Sequence, residues 1–135
     1  MGFRTSGRWT SPGRAVIHAA ESYALAVLEN LVHFNASELP PHLVVSRLEI
    51  PQRVSRQVVA RAEVPDLDTA KTYESCRAIG DTWHEAGSAA VLIVPSRLSP
   101  FECNLLINPR HKDCAKVRVD ERLQSMLARP RQPRG

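Results

Sequence analysis

Residues 7–34 read GRWTSPGRAVIHAAESYALAVLENLVHF, and a change of hydrophobic period inside this stretch decides the class of fold. Ser11-Pro12-Gly13 is a turn signal, and the short apolar run from Ala15 to Ala20 behind it has the character of a strand. From Glu21 to Phe34 the spacing becomes helical. At about 100° per residue, Tyr23, Phe34, Val27, Leu31, Ala24, Leu28, Val32 and Leu25 fill one continuous arc, the face expected to meet a core. Glu29 falls at the edge of that arc beside Leu25, with Asn30 and His33 beyond it. Partial burial at such a rim can orient a carboxylate and tune its acidity. A solvated helix residue is the plain alternative.

Working outward, Pro40-Pro41 stops the helical region. Residues 43–50 (LVVSRLEI) read as a strand closed by Pro51, and residues 54–64 are ambiguous between strand and helix. Thr72 to Gly87 reads as a helix with a narrow stripe of Cys76, Ile79, Trp83 and Ala86, and Gly87 as its stop. Ala89–Val94 is a β-branched buried strand ended by Pro95. Asn104–Asn108 and Lys116–Val119 are further strands, and Glu121–Leu127 a short final helix. Strands and helices mix without regular βαβα alternation, so the class is α+β: one compact domain with a mixed sheet flanked by helices.

The chain has 135 residues, 43% hydrophobic and 24% charged, which is ordinary for one soluble domain. No run approaches the roughly 18 apolar residues of a membrane span, and no apolar segment follows the basic N-terminus as in a secretory signal. A cytoplasmic location is therefore expected. Cys76, Cys103 and Cys114 match no zinc or disulfide spacing and fit a reducing compartment. Three of the 18 Lys and Arg residues (Arg129, Arg131 and Arg134) stand in the terminal ARPRQPRG, leaving 15 against 14 acidic residues in the body. Residues 129–135 read as a disordered basic tail, and the nearly neutral body argues against a nucleic-acid-binding protein.

Several polar residues are candidates for chemistry. Arg8-Trp9 precedes the turn; a guanidinium grips phosphate bidentately and an indole can stack on a planar base, though a surface Arg beside a core Trp is the commoner explanation of such a pair. Ser96 follows a buried strand, where a hydroxyl either caps the next segment or touches a ligand. Histidines 18, 33, 42, 84 and 111 form no metal-binding spacing, so no metal site is expected. No Gly-rich phosphate loop, nucleophile elbow or Cys–His signature is present.

The order of these residues is more specific than any one of them. Gly7-Arg8-Trp9-Thr10-Ser11-Pro12-Gly13, an apolar strand, and Ala24-Leu25-Ala26-Val27-Leu28-Glu29 together resemble the opening of the RES domain. Ile79-Gly80-Asp81-Thr82-Trp83 is similar to that family's I-G-D-x-W helix. Val94-Pro95-Ser96 and Glu102-Cys103-Asn104-Leu105-Leu106-Ile107-Asn108-Pro109-Arg110-His111 continue the resemblance, which extends over about residues 6–120.

The resemblance implies a RES domain over residues 1–128, with a fold like that of ADP-ribosyltransferases. It implies the toxin of a type II toxin–antitoxin pair, an NAD glycohydrolase or phosphorylase that breaks the nicotinamide–ribose bond with water or phosphate as acceptor. NAD is then the substrate and no resident cofactor is required. Arg8, Glu29 and Ser96 are the implied catalytic residues; Arg8, Trp9, His18, Glu29 and Asn104 would contact NAD. The implied partner is a helix-turn-helix antitoxin, forming an oligomer with the toxin, without direct contact to nucleic acid or membrane. The alternative is a weak or inactive RES domain that serves as an antitoxin-binding module. Two departures stand out. The family places a further strand with a Tyr-Arg pair before the GRW block, whereas only Met1–Ser6 precede Gly7, so that strand is expected to be missing. His18 stands where the family has tyrosine, and Thr10 where it has asparagine.

Overall fold

The computed structural model describes residues 2–4, 8–34, 46–65, 67 and 74–120. Its elements run β1 (Gly2–Arg4), β2 (Val16–Ala20), α1 (Tyr23–Phe34), β3 (Leu48–Glu49), β4 (Arg56–Val58), α2 (Glu74–Ala86), β5 (Val91–Pro95), β6 (Cys103–Ile107) and β7 (Arg118–Val119), with 3₁₀ turns at Arg61–Glu63 and Lys112–Lys116. Five strands form one mixed sheet in the order β1-β2-β6-β5-β4, in which only β4 and β5 pair in parallel. β3 and β7 form a separate antiparallel ribbon. The α+β class holds, and no helix among the described residues is long and apolar enough to cross a membrane.

Most segments lie where the hydrophobic pattern puts them. The ambiguous 54–64 segment divides between β4 and a 3₁₀ turn. Within the described part of the expected 43–50 strand only Leu48–Glu49 are strand, and the 116–119 strand shortens to Arg118–Val119. Residues 43–45, 121–127 and the 129–135 tail lie outside the described residues. The expectation of no strand before Gly7 is corrected: Gly2, Phe3 and Arg4 pair antiparallel with His18, Ile17 and Val16. The other side of β2 is taken by β6, and its open backbone edge accepts even a three-residue strand.

Strand alternation sorts the sheet into two apolar faces. Leu92, Val94 and Leu106 point to one side, where they meet Val16, Trp9, Val59, Val64, Leu67, Cys76 and Trp83 in the larger core cluster. Val91 and Ile107 point to the other, against Val54 and Ala90, with Leu48, Ile50, Cys114 and Val117 packed around them. α2 presents Cys76 and Trp83 to the larger cluster, and the buried indole nitrogen of Trp83 donates to the Ala89 carbonyl at 2.9 Å. Gly87, at φ 61°, takes the left-handed conformation that ends this helix.

α1 corrects a second expectation. Ser22 caps it, its hydroxyl accepting from the Leu25 amide at 3.1 Å. Leu25 is 2% exposed, but Tyr23 and Val32 are each 60% exposed, and Val27 and Leu28 also face outward. The helix therefore meets the sheet along the edge of its apolar arc, through Leu25, rather than through the arc's centre. Glu29, one turn after Leu25, is carried onto the same sheet-facing side.

On the second face, buried Asp113 joins the Lys112–Lys116 turn to the approach to β4. Its carboxylate accepts from the Ser55 amide at 2.9 Å and hydroxyl at 2.8 Å, and pairs with Lys116 at 3.0 Å. These partners, Ser55 first, outweigh burial and hold the carboxyl far below the usual carboxylate range. A folded-state value below the unfolded one, near 4, means the contribution is complete above about pH 4 and is lost as pH falls through the folded value. Thermal melts should therefore be flat from neutrality to about pH 5 and fall below about pH 4, with a shallower acid-side fall in Asp113→Asn. An identical acid profile in the variant would remove Asp113 from the account.

Candidate functional site

The residues singled out by the sequence converge where α1 crosses the β2–β6 half of the sheet. β2 and β6 are in register so that His18 opposes Leu106 and Ala20 opposes Asn104. Directly paired residues share a face. His18 and Asn104 thereby come to lie on the side that carries α1 and the Arg8–Trp9 loop. A cleft of about 170 Å³ opens there, lined by Arg8, Trp9, His18, Glu29, Asn30, Arg97, Leu98, Asn104 and Leu106, among others.

The loop that supplies Arg8 and Trp9 is held by α2. At Gly80 the helix approaches the Trp9 backbone so closely that an added Cβ would overlap the Trp9 carbonyl oxygen and lie 2.7 Å from its carbonyl carbon. One residue on, Asp81 accepts from the Ser11 amide at 2.9 Å and from the Ser11 hydroxyl at 2.5 Å. Arg14 closes the clamp, with its Nε 3.0 Å from Asp81, its Nη1 3.3 Å from His84 Nδ1, and an ion pair to Glu85. Burial disfavours the charged form of Asp81, yet the Ser11 hydroxyl and amide, with Arg14 and His84, hold its carboxyl below the usual range. The Ile79-Gly80-Asp81-Thr82-Trp83 motif is thus a mount for the Arg8 loop rather than part of the cleft.

Glu29 is the polar centre. Its Oε1 accepts from the Asn104 side-chain amide at 2.9 Å and from the Ser96 hydroxyl at 3.1 Å. Oε2 accepts no hydrogen bond from the described residues. The Ser96 hydroxyl itself accepts from the amides of Leu98 and Ser99, each at 3.1 Å, so its one proton is directed at Glu29. The carboxylate is therefore gripped by one oxygen and offers the other.

Of the candidates, Arg8, His18, Glu29 and Asn104 are brought together along the cleft. Trp9 is 5% exposed, so most of its ring belongs to the core and only its margin forms cleft wall. Ser96 is fully buried and does not line the cleft. Its hydroxyl donates to Glu29, and the β5–β6 loop folds back over it. The sequence reading passed over Arg61, whose guanidinium donates to the Ser96 carbonyl at 2.5 Å, and Arg97, next to Ser96 in the chain and on the cleft lining. The Ser96-Arg97 adjacency was the only local signal for the latter.

With this geometry in view, the comparisons with known proteins are specific. The family model of the RES domain matches residues 1–128. The chain is 35% identical over 130 residues, 94% of this chain and 80% of the relative, to the protein named "Prs ADP-ribosylating toxin" of Sphingobium sp. (strain YBL2). It is 36% identical over 126 residues, 89% of this chain and 83% of the relative, to "Toxin Res" of Pseudomonas putida. To "Toxin Res" of Photorhabdus laumondii it is 33% identical over 135 residues, 91% of this chain and 82% of the relative. Family match, relatives and the ordered blocks around Arg8, Glu29 and Ser96 agree, and the chain belongs to the RES domain family.

Proposed function

We propose that this protein is a toxin that breaks the nicotinamide–ribose bond of NAD, and that Glu29 is its central catalytic group. One observation carries the reading: a carboxylate clamped through Oε1 by Ser96 and Asn104, with Oε2 left for a ligand, in a cleft that also holds guanidinium groups. Cleavage of a nicotinamide glycoside builds positive charge on the ribose as the C1′–N bond breaks and its electron pair leaves with nicotinamide. A fixed carboxylate stabilises that charge without having to reorganise. Arg8 would bind the pyrophosphate and so position the bond to be broken. His18, the neighbour of Leu106 on the cleft floor, would contact the ring or ribose. The cleft, at about 170 Å³, is below the range of about 300–1,000 Å³ that encloses a drug-sized ligand, which suits one end of a dinucleotide and not the whole molecule.

The acceptor at C1′ is water, inorganic phosphate or a protein side chain. The printed name of the Sphingobium relative supports the protein acceptor, since that relative is described as ADP-ribosylating. The toxin role is supported by the names of all three relatives. It brings with it a cytoplasmic setting and a helix-turn-helix antitoxin that binds the toxin and silences it. Incubating the purified protein with NAD and following nicotinamide tests the reading. Release of nicotinamide is expected, with ADP-ribose marking water, its 1″-phosphate marking phosphate, and a labelled polypeptide in extract marking a protein acceptor. No nicotinamide under any of these conditions would overturn it and leave the antitoxin-binding module.

A further inference from the structure

The cleft contains a cation to which neither the fold nor the reaction described above assigns a role. Arg97 lines the cleft, its side chain is exposed, and it makes no hydrogen bond or ion pair with the described residues. An exposed arginine on a loop is ordinarily a solvated one. Here, however, the two peptide groups that flank it are both held. The Ser96 carbonyl, on one side, accepts from Arg61 at 2.5 Å; the Leu98 amide, on the other, donates to the Ser96 hydroxyl at 3.1 Å. The Ser99 amide binds the same hydroxyl, and the Ser96 amide donates to the Glu102 carbonyl at 3.1 Å. The side chain therefore starts from an anchored backbone at the wall of the cleft. One of those anchors is the hydroxyl that also bonds Glu29, so one buried group ties the carboxylate and the backbone that carries Arg97 together.

We propose that Arg97 is a specificity-determining residue that binds the diphosphate of the substrate, a step that rests on the NAD reading above. The charges match: a pyridinium glycoside is cationic at the end that Glu29 would meet, and the diphosphate next to it is a dianion. A planar guanidinium offers paired donors to such an anion, which an ammonium group does not. Arg97 binds and does not take part in bond breaking, so its removal separates affinity from turnover. It also predicts a preference for dinucleotides over nicotinamide nucleosides that lack phosphate.

The test is Arg97→Gln in the full chain, measured by calorimetric binding of ADP-ribose and of nicotinamide, with steady-state kinetics on NAD. Loss of a charge-assisted contact at a partly exposed site should raise the Kd for ADP-ribose and the KM for NAD about tenfold. The kcat and the Kd for nicotinamide should not move, and Arg97→Lys should recover part of the affinity. An unchanged Kd for ADP-ribose in the variant, or a loss confined to kcat, would overturn the role of Arg97 alone. Wild-type protein that binds no ADP-ribose would overturn it together with the NAD reading.

Discussion

Glu29→Gln should lower nicotinamide release from NAD by about a thousandfold, the scale of losing a pre-organised charge at the reacting centre, while leaving the protein folded. The substitution is informative because of how the carboxylate is held. Both donors, Asn104 Nδ2 and Ser96 Oγ, point to Oε1. A glutamine can place its amide oxygen there and keep both hydrogen bonds, so the local structure has no reason to change. The amide nitrogen then occupies the place of Oε2, replacing a negatively charged acceptor by a neutral donor. An oxocarbenium-like centre would meet a group that repels it. The measurement is single-turnover nicotinamide release beside a thermal melt. A rate within a few-fold of the parent, with an unchanged melt, would remove Glu29 from the reaction.

Gly80→Ala is the substitution expected to damage the fold most for the smallest change in volume. The new Cβ would overlap the Trp9 carbonyl oxygen, and backbone atoms on both sides leave no flexible side chain to yield. Relief requires α2 and the Arg8–Trp9 loop to separate. That would disturb the Trp9–Trp83 core and the Ser11–Asp81 hydrogen bonds together. The cost should be about 3 kcal/mol or more, against less than 1 kcal/mol gained from helix propensity. At this chain length it lowers the melting temperature by about 10 °C. Because the displaced loop carries Arg8, NAD cleavage should fall in the protein that remains folded. A melting temperature within about 2 °C of the parent would show that the two backbones are not in contact as described.

What the sequence by itself determined is local or ordered along the chain. Short apolar runs bounded by turn residues and the period-3.6 spacing located β2, α1, α2, β5 and β6, because both are properties of a few neighbouring residues. The order of the blocks around Arg8, Glu29, Gly80, Ser96 and Asn104 identified the family. The two-residue strands β3 and β7 were blurred, since segments so short owe their structure to the partner they pair with. The apolar arc of α1 misled about its buried side: periodicity reports how apolar a face is, and packing on the sheet decides which part of it is covered. Only the tertiary structure decided how the site residues are arranged. Glu29 meets Ser96 and Asn104 across 67 and 75 residues of chain. No local pattern encodes hydrogen bonds of that span. They exist because the register of β2, β6 and β5 brings the three side chains together, so that Ser96 and Asn104 hold one oxygen of a half-buried Glu29 in a cleft that Arg97 also lines.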